Sequence, residues 1–189
     1  DVVCLKTFNN EGVVQATHEN RKTSPGLTFG GSNEHFLTAN QYSIGIGRNL
    51  TPADVELARP VILIGQTVVN RLFPSETPLG KLVKVSGKTY TVIGTFAERG
   101  SSFGNSQDDI LIIPITRFVI DFGSARRSIN IAIQAPSQDR YNETLDKIVT
   151  AMRIVRGLRQ DDFFAIKVRL LHIDQTVEGG KFLARNALA

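Results

Sequence analysis

The sequence predicts an α+β domain: a strand–helix–strand unit with a second, β-rich segment inserted into it. Three observations carry this reading. Residues 129–170 read strand, helix, strand in succession. Residues 82–96 hold two alternating runs around a short Ser-Gly turn, the pattern of a hairpin. The 189-residue chain is 41% hydrophobic and 21% charged, enough apolar material for a core and too few charges for a disordered tail.

Val2 to Phe8 and Gly12 to Thr17 are β-branched runs flanking Asn9-Asn10-Glu11-Gly12, so two strands and a turn are predicted. Ser24-Pro25-Gly26 predicts a second turn, and Gly30-Gly31-Ser32-Asn33 a third. Ser43 to Gly47 reads as a short strand. Thr51-Pro52-Ala53-Asp54 combines an N-cap hydroxyl, proline at the first helical position and an acid three residues on, so a helix is predicted from Pro52 to about Ala58. Val61 to Ile64 is a buried strand. Gln66 to Phe73 is a helix with Val68, Val69 and Leu72 on one face, stopped by Pro74.

Leu82 to Val85 and Thr89 to Phe96 form the hairpin about Ser86-Gly87. A Gly/Ser loop follows, 100–106, then a strand at Ile110 to Ile113 and a short helix at Pro114 to Ile120. Ile129, Ile131 and Ile133 alternate with polar or small residues in a half-buried strand. Ser137 caps a helix in which Tyr141, Leu145, Ile148, Met152 and Val155 recur at spacings of three and four, ending at Gly157. Phe164, Ile166, Val168 and Leu170 alternate in a last strand. A strand–helix–strand crossover makes two parallel strands of one sheet. Residues 1–47 with 127–172 therefore read as one unit, 48–126 as an insertion into it, and 173–189 as a helical tail.

The charge balance is mild, 22 basic against 18 acidic residues for a net +4, and the basic residues are scattered. That speaks against a nucleic-acid binder, which clusters Lys and Arg and interleaves aromatics. The one cysteine, Cys4, allows no internal disulfide and reads as a small buried hydrophobe. His18, His35 and His172 have no His or Cys partner at metal-ligand spacing. The purest apolar stretch, 110–115, is far short of the roughly 18 residues that a membrane helix needs. Asp1-Val2-Val3-Cys4 opens like the middle of a strand, so the chain reads as an excised piece of a longer protein.

Local motifs assemble no chemistry. Gly100-Ser101-Ser102-Phe103-Gly104 matches the nucleophile-elbow pattern, which needs a strand before it and a helix after it. Here another strand is predicted after it, so a flexible loop tip is the better reading. Adjacent Asp108 and Asp109 point to opposite faces of an extended chain and cannot share one metal or proton; a strand-entry turn explains them. Pro78-Leu79-Gly80-Lys81 lacks the earlier glycine of a phosphate loop, with Ser75 in its place. No catalytic residue, metal or cofactor is expected.

The ordered set of motifs is more informative than any one of them. Val61-Ile62-Leu63-Ile64-Gly65-Gln66-Thr67-Val68, Leu72-Phe73, Thr77-Pro78-Leu79-Gly80-Lys81, Tyr90-Thr91-Val92-Ile93-Gly94, Gly100 to Gly104, Asp108-Asp109 and Ile113-Pro114 follow one another. In order and spacing they resemble the periplasmic core domain of ABC-transporter permeases of the macrolide-exporter (MacB-like) type, best over about 48–135. The resemblance implies a porter-like subdomain with an inserted β-rich subdomain, between a membrane helix upstream and three downstream. The family's first strand and helix would precede Asp1.

It also implies a function. ATP hydrolysis would occur on a cytoplasmic ABC ATPase domain or subunit. Closure of a homodimer or pseudo-dimer would be relayed to this domain, which would drive cargo toward a periplasmic adaptor and an outer-membrane channel. The contact loop expected for the partner is Ser101, Ser102, Phe103 and Gly104, with Phe103 either inserting into the adaptor or folding back on its own subdomain. Two other readings stand beside export: a permease domain that releases lipoproteins or regulates a cell-wall hydrolase, and a serine hydrolase using Ser102.

Overall fold

The structure is a computed structural model. It describes residues 3–8, 13–102, 105–123, 129–134 and 169–171, with scattered positions between 140 and 154. In chain order the elements are β1 (Val3–Phe8), β2 (Ala16–His18), β3 (Arg21–Lys22), β4 (Thr28–Ser32), α1 (Phe36–Asn40), β5 (Ile44–Gly47), α2 (Pro52–Glu56), β6 (Val61–Ile64) and α3 (Gln66–Leu72). There follow β7 (Leu82–Val85), β8 (Lys88–Phe96), β9 (Ser101–Ser102), β10 (Asn105–Ser106), β11 (Ile110–Pro114), α4 (Ile115–Phe122), β12 (Asn130–Gln134) and β13 (Arg169–Leu171).

Eleven of the described strands form one mixed sheet in the order β13-β12-β1-β4-β11-β6-β8-β7-β2-β3, with β5 added to β8. Hydropathy accounts for this order. β11 is five buried residues and β6 carries three, Ile62 to Ile64; such unbroken apolar runs need cover on both faces and take the middle of the sheet. β7 alternates exposed and buried residues and lies toward the outside. The β7–β8 hairpin turns at Ser86 and Gly87, φ +47° and +84°, the two left-handed positions of a type I′ turn. β12 and β13 pair in parallel, Ala132 opposite Arg169, as the crossover expectation requires.

One expectation is corrected. Gly30-Gly31-Ser32 is not a turn but the buried end of β4, hydrogen-bonded to β1 on one side and β11 on the other. The glycines are there for closeness. A Cβ on Gly31 would stand 2.5 Å from Cβ of Phe118, and one on Gly30 2.6 Å from the Thr7 carbonyl. The missing side chains let α4 and β1 lie directly against the strand.

Each face of the sheet carries its own core. Phe29, Ile62, Ile64, Val83, Tyr90, Val92, Leu111 and Ile113 face α3 and α4, where Val68, Leu72 and Phe118 meet them. Cys4, Leu63, Phe96, Ile110 and Ile112 face the other way, toward Phe36 of α1 and Leu50. Burial of each large side chain contributes about 1.5–3 kcal/mol before entropy is counted. Tyr90 donates to Asp121 at 2.8 Å, and Arg117 grips the same carboxylate through Nε and Nη2 at 2.8 and 2.6 Å, so α4 is tied to β8. Burial, and then the Asp121 carboxylate, push the Tyr90 phenol far above its usual range.

The cap predicted for α2 forms in full. The Thr51 side chain accepts from the Asp54 amide, and Asp54 accepts from the Thr51 amide at 3.0 Å. The Asp54 carboxylate is fully buried and takes Arg48 Nη1 at 2.6 Å and Arg59 Nη1 at 3.3 Å. Burial alone would raise its pKa. Hydrogen bonds from Arg48 and Thr51 outweigh burial and hold it well below the carboxylate range. The Thr116 hydroxyl donates to the Val55 carbonyl and joins α2 to α4.

Glu143, Asp146, Lys147, Ile148, Thr150, Ala151 and Ile154 are helical, within the helix expected from Ser137 to Gly157. The turn expected at 9–12, residues 164–168 of the last strand, and the tail 173–189 lie outside the described residues.

A braced hairpin as the candidate functional site

The loop singled out from the sequence is a hairpin. Ser101–Ser102 pairs antiparallel with Asn105–Ser106, Ser102 opposite Asn105 and Ser101 opposite Ser106. Phe103 and Gly104 lie outside the described residues. The chain leaves β10 for the central strand β11 with no helix between. The strand–turn–helix setting of a serine elbow is therefore not formed around Ser102. His172 lies outside the described residues.

Sequence reasoning missed what holds the hairpin. Asp108, 5% exposed, accepts the amides of Arg99 at 2.9 Å and Gly100 at 2.8 Å, while its own amide donates to Ser106 Oγ at 3.2 Å. The Gln107 amide closes the base on the Gly100 carbonyl at 3.1 Å. One carboxylate thus joins the entering and leaving arms. The dyad alternates as expected: Asp108 turns in, while Asp109 is half-exposed and gives its backbone carbonyl to the Thr28 amide at 2.8 Å. The only trace in sequence is an Arg-Gly pair nine and eight residues before an aspartate.

The base is braced from three sides. Arg99 stacks on the Tyr42 ring at 4.4 Å and donates to the Asn40 carbonyl at 3.1 Å, tying it to the end of α1. The Tyr42 hydroxyl reaches the Gln107 carbonyl at 3.3 Å, and burial raises its pKa despite Arg99 nearby. Gly65, before α3, donates to the Ile110 carbonyl at 2.8 Å; a Cβ there would stand 2.0 Å from the Asp108 carbonyl oxygen, so only glycine permits the approach. The arrangement can present a short hairpin in a fixed direction from the C-terminal end of β8. Among the described residues, no group of three or more His, Cys, Asp or Glu could hold a metal, and no helix is long and apolar enough to cross a membrane. Cys4 is buried, as expected of a small hydrophobe, with Ser32 Oγ 3.6 Å from its sulfur. His18 packs on Phe73 at 4.5 Å between ring centroids.

Comparison with known proteins agrees with this architecture. A family model described as the MacB-like periplasmic core domain matches residues 6–151. The macrolide export ATP-binding/permease protein MacB of Rhodopirellula baltica is 35% identical over 113 residues, 59% of this chain and 16% of that protein. This chain therefore spans about a sixth of that relative's length. Two solved structures share the fold. The periplasmic region of MacB from Actinobacillus actinomycetemcomitans superposes with a TM-score of 0.67 at 18% identity, over 84% of this chain and 68% of that one. The extracellular domain of the noncanonic ABC-type transporter YknZ from Gram-positive bacteria gives 0.66 at 21%, over 84% and 77%. The family model spans well over half of the chain, and the chain belongs to that family: the MacB-like periplasmic core domains.

Proposed function

We propose that this domain is the extracytoplasmic part of an ABC-transporter permease that couples ATP hydrolysis, on a cytoplasmic ATPase domain or subunit, to export of an antibiotic, peptide or lipopeptide. The domain works by passing motion and contact rather than by bond chemistry. Its full-length parent is an integral membrane protein acting as a homodimer or pseudo-dimer, with this domain on the outer face of the inner membrane. It hands cargo to a periplasmic adaptor and an outer-membrane channel.

The observation that carries this reading is the braced hairpin 101–106. A contact element that relays a push must not yield at its base, and one buried carboxylate with supports from α1, α3 and β11 supplies that stiffness. Phe103, flanked in sequence by Ser102 and Gly104, is the proposed anchor in the adaptor, with Ser101, Ser102 and Gly104 as the other contact residues. The proposed division into 1–47 with 127–172 and 48–126 runs between strands of one sheet, across the β4–β11, β5–β8 and β2–β7 pairings. In this reading the two parts therefore move together as a plate.

The experiment is to place Phe103→Ala and Asp108→Asn in the full permease, then measure export and adaptor binding. Loss of both with normal membrane insertion is expected. Unchanged export and unchanged binding would remove the proposal.

A further inference from the structure

Asn40 closes α1 and touches both the first strand and the base of the hairpin. Its Oδ1 accepts Lys6 Nζ of β1 at 2.7 Å, its Nδ2 donates to the Phe36 carbonyl at 2.8 Å, and its own carbonyl accepts Arg99 Nη1 at 3.1 Å. Arg99 in turn gives its amide to the Asp108 carboxylate at 2.9 Å. Residues 6, 40, 99 and 108, far apart in sequence, thus stand in one row that starts on β1 and ends at the carboxylate under 101–106. β1 lies four places from β8 in the sheet, so the row is a second connection, across the face, between strands that do not pair.

The end of α1 is shaped to hold Arg99. Gln41 is left-handed at φ +55°, where its amide donates to the Thr38 carbonyl at 3.4 Å and the Tyr42 amide to the Leu37 carbonyl at 3.0 Å. These are the two bonds of a Schellman turn, at a position that glycine usually fills. The turn folds Tyr42 back over the helix. Its ring stacks on Phe36 at 5.5 Å between centroids, meets Phe96 of β8 at 5.0 Å and lies under the Arg99 guanidinium. Asn40 and Tyr42 therefore fix an arginine that is otherwise exposed. Such a side chain loses rotamer entropy when it is held, so its place depends on those two residues staying put. Aromatic packing seats Tyr42. Asn40 is seated by Lys6 and by the Phe36 carbonyl.

We propose that Asn40 is a positioning residue, through which the place of β1 sets the direction of Arg99 and so of the hairpin base. Its use in export rests on the hairpin being the contact element; the coupling itself does not.

Amide exchange in the 189-residue chain reads the coupling at residues 99, 100 and 107. Lys6→Met removes the donor and keeps the aliphatic stem; it should speed exchange at these three about fivefold, although residue 6 belongs to another strand. Asn40→Ala should do the same or more. The two changes together should be no worse than Asn40→Ala alone, because both cut one row. Asn40→Asp keeps an acceptor for Lys6 Nζ and should stay within about twofold of the unsubstituted chain. Amides of β6 and β11 should not change in any of the four variants, whereas a general loss of stability would move them. Additive effects of the two changes, hairpin amides unmoved by Lys6→Met, or equal acceleration in β6 and β11 would each overturn the inference. The readout contains no adaptor, so its failure is told apart from a failure of Phe103→Ala to alter export, which would remove the contact role of the hairpin alone.

Discussion

Replacing Asp108 with alanine should loosen one hairpin and leave the sheet intact. The side chain makes two hydrogen bonds, to the Arg99 and Gly100 amides at 2.9 and 2.8 Å. Hydrogen bonds to a charged group contribute about 1.5–3 kcal/mol each. Arg99 and Gly100 are exposed, so water can take over part of the role once the carboxylate is gone. The lower end of that range applies, and the two together come to roughly 3 kcal/mol. That corresponds to about a hundredfold faster local opening. Hydrogen exchange reads it directly at the amides of 99, 100 and 107, while amides of β6 and β11 should keep their protection. Asp108→Asn retains one acceptor and turns an NH2 group toward the other amide, so its effect should fall between wild type and alanine. Unchanged exchange at 99 and 100 in Asp108→Ala would refute the bracing argument. So would an equal loss of protection in β6 and β11, because the carboxylate would then be holding the whole domain.

Four further outcomes follow from the same geometry. Because the folded-state pKa of Asp54 lies below its unfolded value, its stabilisation is present above about pH 4 and drains as pH falls below that; denaturant titrations between pH 5 and 3 should show this, and Asp54→Asn should flatten the slope. Asp54→Ala should cost about 2 kcal/mol at neutral pH, from the lost cap and the lost hydrogen bonds of Arg48 and Arg59, whose half-exposed guanidinium groups water can still solvate. Gly31→Ala must push its methyl into Phe118, 2.5 Å away, and should cost about 2 kcal/mol or more, seen as a lower denaturation midpoint with unchanged slope. Tyr90→Phe removes one hydrogen bond while Arg117 still grips Asp121, so a loss of about 1 kcal/mol is expected in the same assay, and a loss above 3 kcal/mol would contradict this account.

Period and punctuation in the sequence were sufficient for most elements, because each is decided by neighbours within a few residues. The Thr51–Asp54 cap, the stop at Pro74, the Ser86-Gly87 turn and the apolar runs of β6 and β11 all depend on local hydrogen bonding, φ preference or hydropathy. The crossover rule even supplied the parallel β12–β13 pair, since chirality and chain length leave few other ways to return. The motif order supplied the family. What tertiary structure decided is everything set by approach from far along the chain. Gly30-Gly31 reads locally as a turn, and only the nearness of Phe8 and Phe118 makes it a strand. β2 reads as a strand anywhere, and only its pairing with Val85 and Lys84 places it beside β7. Asp108 reads as a turn residue until the fold brings Arg99, Gly100 and Gly65 around it, because a buried carboxylate takes its role from the amides that reach it, and those are fixed by the sheet.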